Sequence, residues 1–255
     1  MKRLCITAAV IILINFSLLA QSANIYKMNI KRSINGTVDT VKVYTDDITE
    51  IKFVPSPCKD IVTVSYSGLT YHTVAIGTQC WLKENLNIGT RVAGTATQTN
   101  NSILEKYCYN DQENNCTTYG GLYQWDEAMQ YVTTAGAQGI CPSGWHIPTT
   151  AEYETLVTAV NGDHLKLLAV GQSQDATNSS GFTALLAGFR NVPAVNGWPG
   201  TFIGLLGGAD PETDMWSSSQ GASGKASYFF LYTYSVNNFD YIEKAFGFSI
   251  RCIKN

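Results

Sequence analysis

The chain has 255 residues, 45% of them hydrophobic and only 15% charged, with 17 Lys and Arg against 20 Asp and Glu for a net charge of −3. That apolar share is enough to build a sizeable core. The mild acidity argues against a nucleic-acid or anionic-membrane surface, either of which needs clustered cations.

Met1-Lys2-Arg3 puts two positive charges ahead of an apolar run from Leu4 to Ala20 that only Thr7, Asn15 and Ser17 interrupt. With Ala20, Ser22 and Ala23 as small residues for cleavage, residues 1–23 read as a secretory signal peptide. The run is short for a bilayer span, so no transmembrane segment is expected in the mature chain. Cys5 lies too early in the run to serve as a lipoprotein cysteine. Losing Lys2 and Arg3 leaves 15 basic against 20 acidic residues, a mature charge of −5. The product is expected in the periplasm, at the cell surface or outside the cell.

Six cysteines follow the leader: Cys58, Cys80, Cys108, Cys116, Cys141 and Cys252. None forms a Cys-x-x-Cys pair, and His72, His146 and His164 are scattered, so zinc and thioredoxin-like chemistry lack their usual spacing. An even count in an exported chain reads as up to three disulfides, with 15 possible pairings. Cys108 with Cys116 is the expected local pair, across a polar turn from Tyr109 to Asn115.

From residue 24 to 56 the pattern is a small β module. Alternating runs at 25–30 and 38–44 flank Asn35-Gly36, the signature of a hairpin, and Ile48, Ile51 and Phe53 carry a third apolar stretch before Pro55-Ser56-Pro57. The main domain, 57–255, opens with strands at 62–66, 70–76 and 80–82 separated by Ser67-Gly68 and Gly77-Thr78. Residues 93–101 have no period and read as a loop. A short helix is expected over 122–131. A second begins after Pro148, where Thr149 and Glu152 match a capping box, Tyr153, Leu156, Val157 and Val160 keep helical spacing, and Asn161-Gly162 stops it. Beyond Phe182 short aromatic runs predominate, notably 227–236 and 246–253, as antiparallel strands with a turn at Asn237-Asn238. Helices early and strands late give an α+β domain.

Prominent side chains each have two readings. Trp81, Trp125, Trp145 and Trp216 can stack on sugars, but tryptophans more often fill cores. His146 fits a hydrogen-bonded structural role, since no partnered nucleophile accompanies it. Glu152 and Glu154 suit the start of a helix. Asp210, Glu212 and Asp214 alternate as calcium ligands can, although a solvated loop explains them too. No catalytic constellation and no required cofactor emerge, and the binding residues singled out are Trp198, Trp216, Asp210, Glu212 and Asp214.

Several segments in one order carry a family resemblance: Gly77-Thr78-Gln79-Cys80-Trp81-Leu82-Lys83-Glu84-Asn85-Leu86-Asn87, Cys141-Pro142-Ser143-Gly144-Trp145-His146-Ile147-Pro148, Trp216-Ser217-Ser218-Ser219 and Gly247-Phe248-Ser249-Ile250-Arg251-Cys252. From about Cys58 onward the chain resembles the Fibrobacter succinogenes major paralogous domain, often called FISUMP. The resemblance implies a C-type lectin-like fold, shared in outline with formylglycine-generating enzymes, and secreted or surface proteins of Bacteroidetes-type bacteria. Through lectin-like folds it also implies a Cys141–Cys252 bridge, which leaves Cys58 with Cys80. The leading function is a non-catalytic module binding glycan or a surface protein. The alternatives are an oxidoreductase using Cys252, as in the formylglycine-generating enzymes, and a structural component of a surface assembly.

Overall fold

The computed structural model describes the backbone at residues 4–8, 13–16, 27–34, 37–44, 51–192, 201–207, 210–234 and 236–255, with side chains from residue 56 onward apart from 236–239. The chain divides into two compact units, Met1–Asp60 and Ile61–Asn255.

In the first unit, β3 (Lys27–Ile34) and β4 (Thr37–Tyr44) form the expected hairpin, paired from Lys27 with Tyr44 to Ile34 with Thr37. The N-terminal apolar run is extended where it is described: β1 (Leu4–Ala8) runs parallel to β5 (Ile51–Pro55), and β2 (Leu13–Phe16) runs antiparallel to β3. The cleavage candidates Ala20, Ser22 and Ala23 lie outside the described residues, as do Ile25, Tyr26, Asn35, Gly36 and Ile48. Among the described residues no helix is long and apolar enough to cross a membrane.

The second unit is mixed α and β, mostly sheet, with three α-helices among the described residues. It opens with β6 (Thr63–Tyr66), β7 (Leu69–Ile76) and β8 (Gln79–Leu82), close to the segments the alternation marks. Tyr66 faces Leu69, and Ser67 and Gly68 take φ of 50° and 79°, as a two-residue turn with the right twist requires. The short parallel pair β9 (Thr90–Arg91) and β10 (Glu105–Lys106) brackets the loop expected at 93–101. That loop is pinned from within, because Gln98 and Gln124 exchange backbone-to-side-chain hydrogen bonds of 3.1 and 2.8 Å.

Two expectations fail next. The segment between Cys108 and Cys116 is a 3-10 turn at Tyr109–Asp111 leading into α1 (Glu113–Tyr119), so the disulfide ties a helix to the chain before it and does not span a simple turn. The helix expected over 122–131 shrinks to α2 (Trp125–Ala128). Leu122 and Tyr123 are taken as β11 (Leu122–Tyr123), which pairs with Ser249 and Phe248, and left-handed φ at Gln130 and Tyr131 ends the helix. Next come β12 (Trp145–His146) and α3 (Thr150–Ala159), whose capping box is complete: Glu152 N–H donates to Thr149 Oγ1 at 3.3 Å and Thr149 N–H donates to Glu152 Oε2 at 2.8 Å.

The later strands are β13 (Ala187–Arg190), β14 (Phe202–Leu205), β15 (Glu212–Gln220), β16 (Lys225–Tyr232), β17 (Val236–Glu243), β18 (Phe248–Ser249) and β19 (Ile253–Lys254). Asn237 and Asn238 lie within β17, so the turn precedes Val236, which pairs with Leu231. The run 246–253, expected as one strand, is divided between two sheets. Its first part, β18, joins a seven-stranded sheet built on β15, while β19 enters the five-stranded order β12-β19-β8-β7-β6. On β15 one edge is taken by β16, and the other by β13 at Thr213 and β18 at Met215.

The main core lies where α3 meets the two sheets, with Trp81, Tyr153, Leu156, Met215, Phe229 and Ile253 buried together. Tyr153 stacks on Phe229 at 4.6 Å and tilts against Trp81 at 5.4 Å, pairings that contribute about 0.5–1.5 kcal/mol beyond burial.

Candidate functional site

Strand alternation sends Phe229 and Leu231 of β16 into the core and Tyr228, Phe230 and Tyr232 to the opposite face. Tyr234, just past the strand, continues the row. Successive ring centroids are 5.2, 5.4 and 5.2 Å apart, the first and last pairs being stacked. The first three rings are half-buried and Tyr234 is 65% exposed, so the ladder runs from the packed sheet toward solvent. At its inner end Tyr228 packs on Phe248 at 5.0 Å, and Phe248 on Trp216 at 4.3 Å.

The neighbouring strand places a residue beside each of the first three rings. Trp216 is opposite Tyr228, Asp214 opposite Phe230 and Glu212 opposite Tyr232. Three of the residues singled out from the sequence therefore share one face, although not as a solvated loop: they belong to β15, and Glu212 and Asp214 are buried. The tertiary sheet overrides the polar composition here, because β16 and β13 supply partners to this backbone. Gly204 makes room for Glu212, since a Cβ there would come within 2.7 Å of Glu212 Cγ.

Burial raises the Glu212 carboxyl; a hydrogen bond with Tyr232 opposes this and the Asp210 charge adds to it. Burial followed by the Glu212 charge pushes Asp214 well above the ordinary carboxylate range. Asp214 Oδ1 and Thr213 Oγ1 are buried without a hydrogen-bond partner among the described residues. Burial, the hydrogen bond to Glu212 and the nearby carboxylates raise the Tyr232 phenol.

Other sequence candidates are placed differently. Trp81, Trp125 and Trp216 are 0% exposed and Trp145 3%, so all four tryptophans pack, and Trp216 is corrected from a binding residue to a core one. Its indole N–H donates to the Tyr123 carbonyl at 2.7 Å. Asp210 is exposed ahead of β15, and Trp198 lies outside the described residues. Asp210, Glu212 and Asp214 are not gathered as metal ligands. Among the described residues the one group of three possible ligands is Cys108, Glu113 and Cys116, and its two sulfurs are bonded to each other. The ladder itself escaped notice, although Ser227-Tyr228-Phe229-Phe230-Leu231-Tyr232-Thr233-Tyr234 carries an aromatic at every second position.

His146 Nε2 lies 2.9 Å from Glu152 Oε1 and Nδ1 lies 2.7 Å from Asn255 Oδ1. Burial lowers the imidazole, but the two hydrogen bonds outweigh it and raise His146 overall. Burial likewise raises Glu152, and His146 with the Thr149 amide lowers it further than burial lifts it. The pair ties β12 and the C-terminal residue to the cap of α3, as a structural histidine does.

Cys108 is bonded to Cys116 and Cys141 to Cys252, with Cα separations of 5.0 and 5.9 Å. Cys58 and Cys80 are each disulfide-bonded too. Cys252, the residue on which the redox alternative depends, is therefore not a free thiol in this state.

No curated protein and no solved structure matches the chain. A family model described as the Fibrobacter succinogenes major domain matches residues 74–254, a span that holds the ladder, the capped helix and the Cys108–Cys116 and Cys141–Cys252 bridges. By that match over more than half its length, the chain belongs to the Fibrobacter succinogenes major domain family.

Proposed function

We propose that the protein is an exported, non-catalytic module that binds glycan along the ladder Tyr228–Phe230–Tyr232–Tyr234. The observation that carries this reading is a row of four aromatic rings at near-constant spacing, half-open to solvent, with carboxylates alongside. A sugar presents an apolar C–H face to an aromatic ring and hydroxyls at its rim, where the phenols can accept or donate hydrogen bonds. Export is supported by the leader sequence and by six oxidised cysteines. Cleavage near residue 23 removes β1 and β2 and leaves the β3–β4 hairpin intact in sequence. The Cys141–Cys252 bridge from the turn before α3 to the end of the chain, together with two mainly antiparallel sheets, supports a C-type lectin-like architecture.

Glycan-array screening followed by calorimetry on the secreted protein tests the proposal. Saturable binding to at least one glycan is expected, weakened about tenfold or more by Tyr234→Ala and by Tyr232→Ala. Val170→Ser, at a residue 74% exposed and outside the ladder, is expected to bind as the parent does. Absence of glycan binding, or binding indifferent to both tyrosine variants, refutes the reading; capture of a surface protein through the same tyrosines moves it to a protein ligand.

A further inference from the structure

A separate cavity of about 260 Å³ lies between the β6–β7 turn, the segment after β8 and the end of α1. Leu69, Lys83, Asn85, Tyr119, Thr183 and Arg251 are among its walls. It shares no residue with the aromatic ladder. Its volume falls just below the usual range for drug-sized ligands, which restricts it to something about the size of a single sugar or amino acid.

The charge on its walls is unbalanced. Arg251 sits in the short crossing from β18 to β19 and is 1% exposed. Its Nε and Nη2 donate to Asn85 Oδ1 at 3.0 and 2.8 Å, and Nη1 donates to the Phe182 carbonyl at 2.5 Å. Its guanidinium carbon lies 4.4 Å over the Phe182 ring. A guanidinium has five N–H bonds, so about two remain unmatched. Among the described residues no carboxylate forms an ion pair with it; the Glu84 charge acts on it only at longer range. Burial pulls Arg251 down to about 10, which leaves it a cation at neutral pH. A buried charge without a contact ion-pair partner is costly and leaves room for one.

The rest of the wall points the same way. Lys83 is half-buried, and its ammonium has no hydrogen-bond or ion-pair partner among the described residues. Glu84, the one acid on the wall, is engaged at the rim by His72, whose Nδ1 lies 2.7 Å from Glu84 Oε1 and whose backbone N–H donates to Oε2 at 2.7 Å. Asn85 is itself fixed, its Nδ2 donating to the Tyr119 carbonyl and to Ser249 Oγ, so the guanidinium is held rigidly from behind. Preorganisation of this kind reduces the ordering cost of binding.

We infer that this cavity binds a small carboxylate-bearing ligand, with Arg251 and Lys83 supplying the positive charge. The N–H bonds that Arg251 leaves unmatched on Nη1 and Nη2 can donate to a carboxylate, and burial strengthens such a bond relative to water. Leu69 and Leu185 offer apolar contact, and Thr183 with Asn87 adds hydroxyl and amide groups for the remainder of the ligand.

Titration of the mature protein followed by amide chemical-shift changes is the direct test, using glucuronate, succinate and glucose at up to about 20 mM. Saturable shifts at Asn85 and Asn87 with glucuronate, and none with glucose, are expected; a similar response to succinate identifies a simple carboxylate as sufficient, and its absence identifies a sugar acid. Lys83→Met is expected to weaken binding by about five- to tenfold. Arg251→Lys keeps the charge but loses the planar set of donors and is expected to weaken it further; should that variant fail to fold, Lys83→Met decides. Failure of both carboxylates to bind, an equal response to glucose, or unchanged affinity in Lys83→Met overturns the inference. Because the ladder variants leave this cavity intact, its failure and the failure of glycan binding at the ladder are distinguishable.

Discussion

Asp214 concentrates the electrostatic tension of the β15 face in one side chain. It is 3% exposed, one oxygen lacks a partner, and its neighbour across one intervening residue is another buried carboxylate. An acid whose folded pKa is raised favours folding below its unfolded pKa and loses that contribution as pH rises toward the folded one. Asp214→Asn removes the charge with little change in volume. It is therefore expected to stabilise the protein at pH 7.5 by about 1–3 kcal/mol relative to the parent and to change little at pH 3.5. Chemical denaturation at the two pH values measures this, and a variant less stable than the parent at pH 7.5 contradicts the assignment. The sequence showed three acids in a row of alternating positions and left open what surrounded them. Burial was not legible there, since it comes from β13, β14 and β16, which are distant in the chain or follow it.

Among the elements, α3 was the most readable. Thr149, Glu152 and the apolar spacing act within a few residues of one another, so their physics is local, and the capping box formed as the residue types require. Glu152 serves twice, closing the cap and holding His146. Thr149→Ala is expected to cost about 0.5–2 kcal/mol. Urea denaturation checks the magnitude, and a loss below the low end of that range would show that His146 alone keeps Glu152 and the first turn in place. The hairpins at 27–44 and 63–76 were readable for the same reason. By contrast, α1 has no apolar periodicity, and β11 is two residues long; both are fixed by partners, Cys108 for the first and β18 for the second. The ladder on β16 was visible as alternation, but alternation does not say which face is covered, and only the packing of Phe229 and Leu231 settles that.

For the whole second unit, the disulfide between Cys141 and Cys252 joins residues 111 apart, and the Cys108–Cys116 bridge joins residues 8 apart. The entropy removed from the unfolded chain grows with the logarithm of the loop. Cys252→Ser is therefore expected to cost about 4–5 kcal/mol and Cys116→Ser about 2–3 kcal/mol. Thermal unfolding of the two variants should rank them in that order, and the reverse order would mean that native packing around α1 outweighs loop length.

Residue types and short spacings alone determined the oxidised cysteine set, the hairpins, the capped helix and, through ordered segments, the family. Each depends on neighbours a few positions away or on composition. Tertiary structure decided that the run 246–253 divides between two sheets, that the tryptophans are core, and that Arg251 and Lys83 come to one cavity. Those outcomes depend on which distant strand offers its edge, and on which side chains lose water when it does, and neither is encoded within any single segment.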